Sequence, residues 1–301
     1  MKLFSEKLAV KKVLILLFVF SLVSTFIMAQ GFTDDAKLAA AYLKSSDSLL
    51  LKTRTVTTID AQKVLANPPQ FAAVGVIKPS KKVLTANAIY ERAKEATVIT
   101  GCVYLCPRCS NPHISESSGY IIDPKGIMVT NYHVMATYAN MTDGNKPLGF
   151  IVRMSNGKTY AVKSVLTSSK ENDLAILQLE TNGDRLPALP LSEGSKVGEK
   201  IFVLGHPKGM HYFFSQGHVM DKYREEAGQD DHKFFRDMVV ISADYATGSS
   251  GGPVINEYGD VVATVSNTHP LIHSEMNPGL QMVLKNTVPV ESLRKLIQKV
   301  N

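Results

Sequence analysis

The feature that most constrains this chain is a rhythm of short apolar runs that begins near Ala96 and continues to Asn286. "TVITGCVYL", "SGYIID", "GIMVTN", "FIVRM", "TYAVKSVL", "LAILQLE", "KIFVLG", "YFFSQGHVM", "MVVISAD", "PVIN", "DVVATVSN" and "QMVLKN" follow one another, with turn formers such as Asp-Pro-Lys-Gly, Ser-Asn-Gly and Asn-Gly-Asp between them. Runs this short, rich in Val and Ile, read as strands, and many in succession build a sandwich or barrels. The reading is an all-β body with a first barrel over residues 96–185 and a second over 186–301. The last segment, "VPVESLRKLIQKV", changes period. Leu293, Leu296, Ile297 and Val300 fall on one helical face, which predicts a closing helix.

Two stretches precede this body. Residues 1–29 combine a basic head (Lys2, Lys7, Lys11, Lys12) with the uncharged apolar run Val13–Met28 and then Ala29. That is the layout of a secretory signal peptide cut after Ala29. Ile27 departs from the small residue expected there, so the alternative is an uncleaved N-terminal membrane anchor, although the run is shorter than the ~20 residues a span prefers. The chain is therefore expected to be exported, periplasmic or secreted. Its formal net charge of +6 loses four lysines and one glutamate with the leader, leaving +3. That is too little to argue for a nucleic-acid partner. Residues 30–95 form an N-terminal extension. "DDAKLAAAYLKSSDSLLL" and "TANAIYERAKEA" read as helices, the latter capped by Thr85 with Ile89 and Ala93 on one face.

The chemistry starts at "ATGSSGGPVIN", Ala246–Asn256, where two serines stand among glycines before a strand–turn–strand pattern. A serine nucleophile needs a histidine base oriented by a carboxylate. Of eight histidines, His133 stands apart at the end of the apolar strand in "IMVTNYHVM". Asp173 opens "NDLAILQLE", directly before a buried-looking strand, where a carboxylate needs a partner. The order His133, Asp173, Ser250 goes with a chymotrypsin-like double β-barrel. The rival G-x-S-x-G elbow needs a helix after the serine, and Pro253 and a hairpin stand there instead. Ser250 is preferred over Ser249 because the oxyanion donors would then be the N–H groups of Ser250 and of Gly248, two residues earlier and without a side chain to obstruct them. For Ser249 the second donor would be the bulkier Thr247.

Cys102, Cys106 and Cys109 lie within eight residues, with His113 close behind. An odd count leaves at least one thiol free, metal-bound or paired elsewhere. Two readings stand open: a local disulfide with one free cysteine, which export favours, or a structural zinc held by Cys102, Cys106, Cys109 and His113. Catalysis itself calls for no cofactor.

In these segments the chain resembles the trypsin-like serine proteases of the HtrA/Deg type. "SSGYIIDPKGIMVTNYHV", "NDLAILQLE", "IFVLGHPKG", "TGSSGGPVINEYGDVVATVSN" and "VPVESLRKLI" match that family's histidine, aspartate, following-strand, serine and closing-helix segments in order, over roughly residues 85–301. The resemblance implies an endopeptidase acting on polypeptides. His133 would be the base, Asp173 its orienter and Ser250 the nucleophile, with Gly248 and Ser250 donating to the oxyanion. It also implies that Ser266-Asn267-Thr268 pairs with the substrate backbone, and it makes Asp244 a candidate for the specificity pocket. The competing reading is a dormant protease-fold binding or chaperone-like module. "DKYREEAGQDDHKFFRD" reads as a long charged loop before the serine strand.

Overall fold

A computed structural model describes residues 30–109, 111–228 and 233–300. The predicted leader, residues 1–29, lies outside them. The chain divides between Asp34 and Asp35, and among the described residues the body from Asp35 onward carries all the regular structure. Its elements, in order, are α1 (Asp35–Leu50), α2 (Thr58–Ala66), β1 (Ala72–Val74), α3 (Ala86–Ala96), β2 (Thr97–Leu105), β3 (Pro112–Asp123), β4 (Ile127–Thr130), α4 (Tyr132–Ala139), β5 (Lys146–Arg153), β6 (Thr159–Ser169), β7 (Leu174–Glu180), β8 (Lys200–Gly205), β9 (Phe213–Ala227), β10 (Phe234–Ile241), β11 (Pro253–Asn256), β12 (Val261–Ile272), β13 (Leu280–Pro289), α5 (Val290–Arg294) and β14 (Ile297–Lys299).

Two closed barrels form the body, as the strand rhythm predicts. The first runs β2-β3-β4-β7-β6-β5 and the second β10-β13-β12-β11-β8-β9. Alternation along each strand divides its side chains between two faces. In β2, Val98 and Cys102 enter the core of the first barrel with Met128, Phe150 and Leu177, while Ile99 and Val103 face a second cluster with Tyr42 and Ile151. That second cluster also holds Tyr120, Phe202, Leu204 and Ile255, so it joins the barrels.

The N-terminal extension packs on this body. Tyr42 of α1 is fully buried, and its hydroxyl donates to Ile99 O at 3.0 Å and Ile151 O at 3.3 Å across β2 and β5. Thr57 caps α2 by accepting from Asp60 N–H, and Ala61 and Leu65 sink into the first barrel's core. Thr85 caps α3 through Ala88 N–H, and Ile89 and Ala93 are buried on the expected face. The closing helix is shorter than its sequence pattern predicts. It ends at Arg294, and Ile297–Lys299 instead pair in parallel with Ala72–Val74. Backbone pairing to β1 overrides the weak helical face of the last residues. The charged segment before the serine strand also differs. Its described part forms the arms of a β9–β10 hairpin, laced by Arg224–Asp237 and Arg236–Glu225 across the strands.

If α1 is an integral part of the fold, Tyr42→Phe, which removes one buried hydroxyl, will lower unfolding free energy by about 1 kcal/mol. Tyr42→Ala will lower it by ~3–5 kcal/mol. Urea unfolding should show lower midpoints with an unchanged slope.

Candidate active site

His133 sits in the first turn of α4, directly after β4, rather than on the strand itself. Its backbone N–H donates to Asp173 Oδ1 at 3.0 Å, and its ring Nδ1 lies 2.9 Å from Oδ2 and 3.0 Å from Oδ1. The carboxylate thus fixes both the main chain and the ring of one residue. Asp173 occupies the turn between β6 and β7 with φ of 50°, a left-handed conformation that costs about 1 kcal/mol for a residue with a side chain. Its neighbours hold it there. Asn131 Nδ2 donates to Asp173 O at 2.8 Å, and Ser266 Oγ donates to Asp173 Oδ2 at 2.7 Å.

Ser250 lies in the tight turn before β11. Gly248 has φ of 99° and Gly251 φ of 82°, and a Cβ on Gly251 would run into Ser118 O and Thr130 Oγ1. Ser250 Oγ donates to Ser266 O at 3.3 Å, and among the described residues it makes no hydrogen bond to His133. Ser249, in contrast, is buried with its Oγ unpartnered, behind the turn. Among the described residues the N–H groups of Gly248 and Ser250 have no acceptor, while those of Ser249, Gly251 and Gly252 are bonded within the chain. The two free N–H groups are the pair singled out as oxyanion donors.

The serine turn is fastened to the first barrel by residues that the sequence analysis did not single out. Ser118 N–H donates to Ser250 O at 3.0 Å and Ser117 Oγ to the same oxygen at 2.8 Å. Ser118 Oγ donates to Gly248 O at 2.9 Å, and Thr130 Oγ1 donates to Ser118 O at 2.8 Å. The signal was present: Thr130 and Asn131 are polar residues closing an apolar strand beside the candidate base, and both are fully buried.

His133 and Asp173 border a cavity of about 780 Å³ shared with Tyr104, Tyr132, Arg236 and Asn267. Ser266 and Asn267 are adjacent to the site, and Thr268 follows exposed along β12. In this stretch β12 pairs with β13 on one side, whereas its pairing with β11 reaches no further than Thr264. Asp244 does not join the group. Its side chain is 81% exposed, 3.7 Å from Lys285 Nζ, in a separate cavity of about 720 Å³ lined by Met220, Tyr223, Ile241 and Met282. The adjacent Tyr245 takes the inward direction, donating to Asn267 O and Asn286 O at 2.8 Å, which turns Asp244 away.

The cysteine segment is the tip of the β2–β3 hairpin. Cys106 Sγ, Cys109 Sγ and His113 Nε2 lie within 4.8 Å of one another. Cys102 does not belong to the set. It points into the barrel core, where burial pushes its thiol up to about 12. All three cysteines are free thiols in this structure. Cys106 is drawn down to about 7, first by the hydrogen bond to Cys109 and then by the backbone at Arg108, and the same bond raises Cys109.

Beside the serine turn, His206 and His211 lie with ring centroids 5.9 Å apart. His206 is buried and its Nδ1 accepts the Tyr212 N–H at 3.0 Å, so the ring is neutral. Burial first, then the neighbouring His211, lowers it to about 3. For His211, burial opposes the charge, but hydrogen bonds to Glu116 (2.9 Å) and Asp35 (3.0 Å) outweigh it and raise the value.

A family profile described as a trypsin-like peptidase domain matches residues 117–263. The chain is 28% identical over 183 residues to Protease Do-like 5, chloroplastic, of Arabidopsis thaliana, covering 60% of this chain and 56% of that protein. It is 32% identical over 157 residues to a probable periplasmic serine endoprotease DegP-like of Hahella chejuensis, covering 52% of this chain and 30% of the other. Among solved structures, Deg5 superposes with a TM-score of 0.52 at 22% identity over 70% of this chain and 91% of that one. An HtrA-type protease solved with a decapeptide gives 0.52 at 19% identity over 69% and 64%. The chain spans between about a third and just over half of the two curated relatives' length.

The histidine pair makes stability depend on pH. An unfolded chain protonates His206 near 6.5, whereas the folded chain resists until about 3, so this contribution is lost as pH falls below 6.5. From pH 7 to 5 the loss is about 2 kcal/mol. His211 works in the opposite sense, its stabilisation being full at acid pH and lost as pH rises through its raised value. His206→Asn, whose Oδ1 replaces Nδ1 as the acceptor, should flatten the acid limb of a stability–pH profile by about one proton.

Proposed function

We propose that this chain, which carries a trypsin-like peptidase domain, is an exported serine endopeptidase that hydrolyses polypeptides through an acyl-enzyme at Ser250. The observation that carries the reading is the join of His133 to Asp173 by three hydrogen bonds, next to a serine turn whose two free N–H groups belong to Gly248 and Ser250. An arriving peptide adds as a strand to the open edge of β12 at Ser266–Thr268, which sets its carbonyl against the serine turn. His133 Nε2 takes the Ser250 proton as Oγ attacks. The Gly248 and Ser250 N–H groups stabilise the developing oxyanion, and His133 returns the proton to the leaving amine. Water then repeats the sequence on the ester. Asp173 keeps Nδ1–H toward itself and balances the imidazolium charge, so it stays ionised throughout. Ser266 is a positioning residue, holding the outer carboxylate oxygen.

Export rests on the charge and apolar layout of residues 1–29 and on periplasmic DegP-like proteins among the relatives. Among the described residues no helix is long and apolar enough to cross a membrane. With Lys285 beside its exposed carboxylate, Asp244 is poorly placed to select basic residues.

A serine-directed fluorophosphonate should label the wild type and Ser249→Ala but not Ser250→Ala. Absence of labelling in correctly folded wild type would favour a dormant binding module instead. Asp173→Asn should reduce kcat by ~10⁴-fold, and Ser266→Ala, which frees one carboxylate oxygen, by ~10-fold with KM little changed. Asp244→Asn should leave the preference between lysine and neutral P1 residues within about five-fold, since a surface pair contributes under ~1 kcal/mol. Peptide-library profiling checks this.

A further inference from the structure

One constellation takes no part in acyl transfer. At the tip of the β2–β3 hairpin, Cys106 Sγ and Cys109 Sγ are 3.2 Å apart, and Cys109 Sγ is 2.9 Å from His113 Nε2. We propose that Cys106, Cys109 and His113 bind a single zinc(II) ion that braces one wall of the catalytic cleft.

The donor set argues for the metal. Two thiolates and an imidazole are borderline-soft ligands that suit zinc, and a Cys-x₂-Cys turn followed closely by His is a spacing that structural zinc sites use. A tetrahedral ion with ordinary bond lengths needs donor separations of ~3.8 Å for S···S and ~3.6 Å for S···N. The observed 3.2 Å and 2.9 Å reach this by an outward shift of roughly 0.6 Å, which side chains at a hairpin tip can make by small rotations. Among the described residues no fourth Cys, His, Asp or Glu joins the group, so water completes the tetrahedron.

The surroundings show what the ion would do. His113 is the cross-strand partner of Tyr104, and their rings lie 5.4 Å apart. Tyr104 in turn lines the cavity that holds His133 and Asp173. On the other side of the tip, Pro107 lies against Gly144, where an added Cβ would sit 3.4 Å from Pro107 Cγ. The neighbouring Asn140, Met141, Thr142, Asp143 and Asn145 line the same cavity. A metal linking Cys106 and Cys109 to His113 closes the tip on both flanks at once. It therefore restrains Tyr104 and the 140–145 loop, which shape substrate access, while leaving the triad chemically independent of it.

The test uses the full chain, reduced and purified without chelator. Metal analysis should find one zinc per chain. Cobalt(II) substitution should give the visible bands of a tetrahedral site and a thiolate-to-metal charge-transfer band in the near ultraviolet. Cys106→Ser with Cys109→Ser, and separately His113→Ala, should bring metal content to background, while Cys102→Ala retains it. Circular dichroism melts identify any variant that has failed to fold, and because the tip is exposed the two ligand variants should melt as cooperatively as the wild type. Removing zinc from the wild type should raise hydrogen exchange at residues 104–109 and 140–145, and should raise KM for a peptide with fluorophosphonate labelling retained. Two results would overturn the proposal: reduced wild type that does not retain equimolar zinc, or zinc content unchanged in the folded ligand variants.

Discussion

The carbonyl oxygen of Ser250 is the point at which the first barrel, which carries His133 and Asp173, holds the serine turn of the second. It accepts from Ser118 N–H and Ser117 Oγ, both on β3 of the first barrel, while Ser118 Oγ reaches back to Gly248 O. His133 and Asp173 come from the first barrel and Ser250 from the second, so their alignment can be no better than this junction. Each hydrogen bond contributes only about 1 kcal/mol net. Their effect is larger at Ser118, which is fully buried, because leaving a buried member unpaired costs more than the bond itself gives. Tyr120 OH on Thr264 Oγ1 at 2.8 Å makes a second buried polar link across the same boundary, inside the apolar cluster of Phe202, Leu204 and Ile255. Gly251 follows from the same constraint, since any side chain there would separate the turn from Ser118 and Thr130.

Much of this was legible in the sequence where local chemistry decides the outcome. Strand runs rich in β-branched residues became barrel strands, and the alignment of His133 with Asp173 is what a carboxylate placed at the start of a buried strand demands. What escaped the reading depends on partners far along the chain. Ser118 reads only as the first residue of the strand run "SGYIID" until Gly248, 130 residues away, is placed beside it. The helical face of Leu293, Leu296 and Ile297 is real, but Ala72–Val74 offers the last residues a parallel ladder. The arms of β9 and β10 look like a loop because charges occupy positions that a half-buried strand would fill with apolar side chains, and those charges pair across the hairpin instead. Cys102 was grouped with Cys106 and Cys109 by proximity in sequence, yet alternation on β2 sends it into the core with Val98.

From Asp35 onward, the residues read as an N-terminal extension belong to the same body as the barrels. Asp35, at the start of α1, accepts from both the backbone and the ring of His211, and Glu116 of β3 holds the other ring nitrogen. Glu116 is adjacent to Ser117, and Lys208 N–H donates to Thr247 O in the residue before Gly248. Asp35, Glu116, His211, Lys208 and Gly248 border one cavity of about 500 Å³ against the oxyanion turn. The first helix thus contributes a carboxylate to the wall beside the two N–H groups, and it does so through an imidazole that needs both carboxylates to remain charged while buried. Removing Asp35 would leave that imidazolium with one partner, and the adjustment would fall on the segment that positions Thr247 and Gly248. The serine turn is therefore fastened by Ser117 and Ser118 on one side, and on the other Thr247 O accepts from Lys208, three residues before the His211 that α1 holds through Asp35.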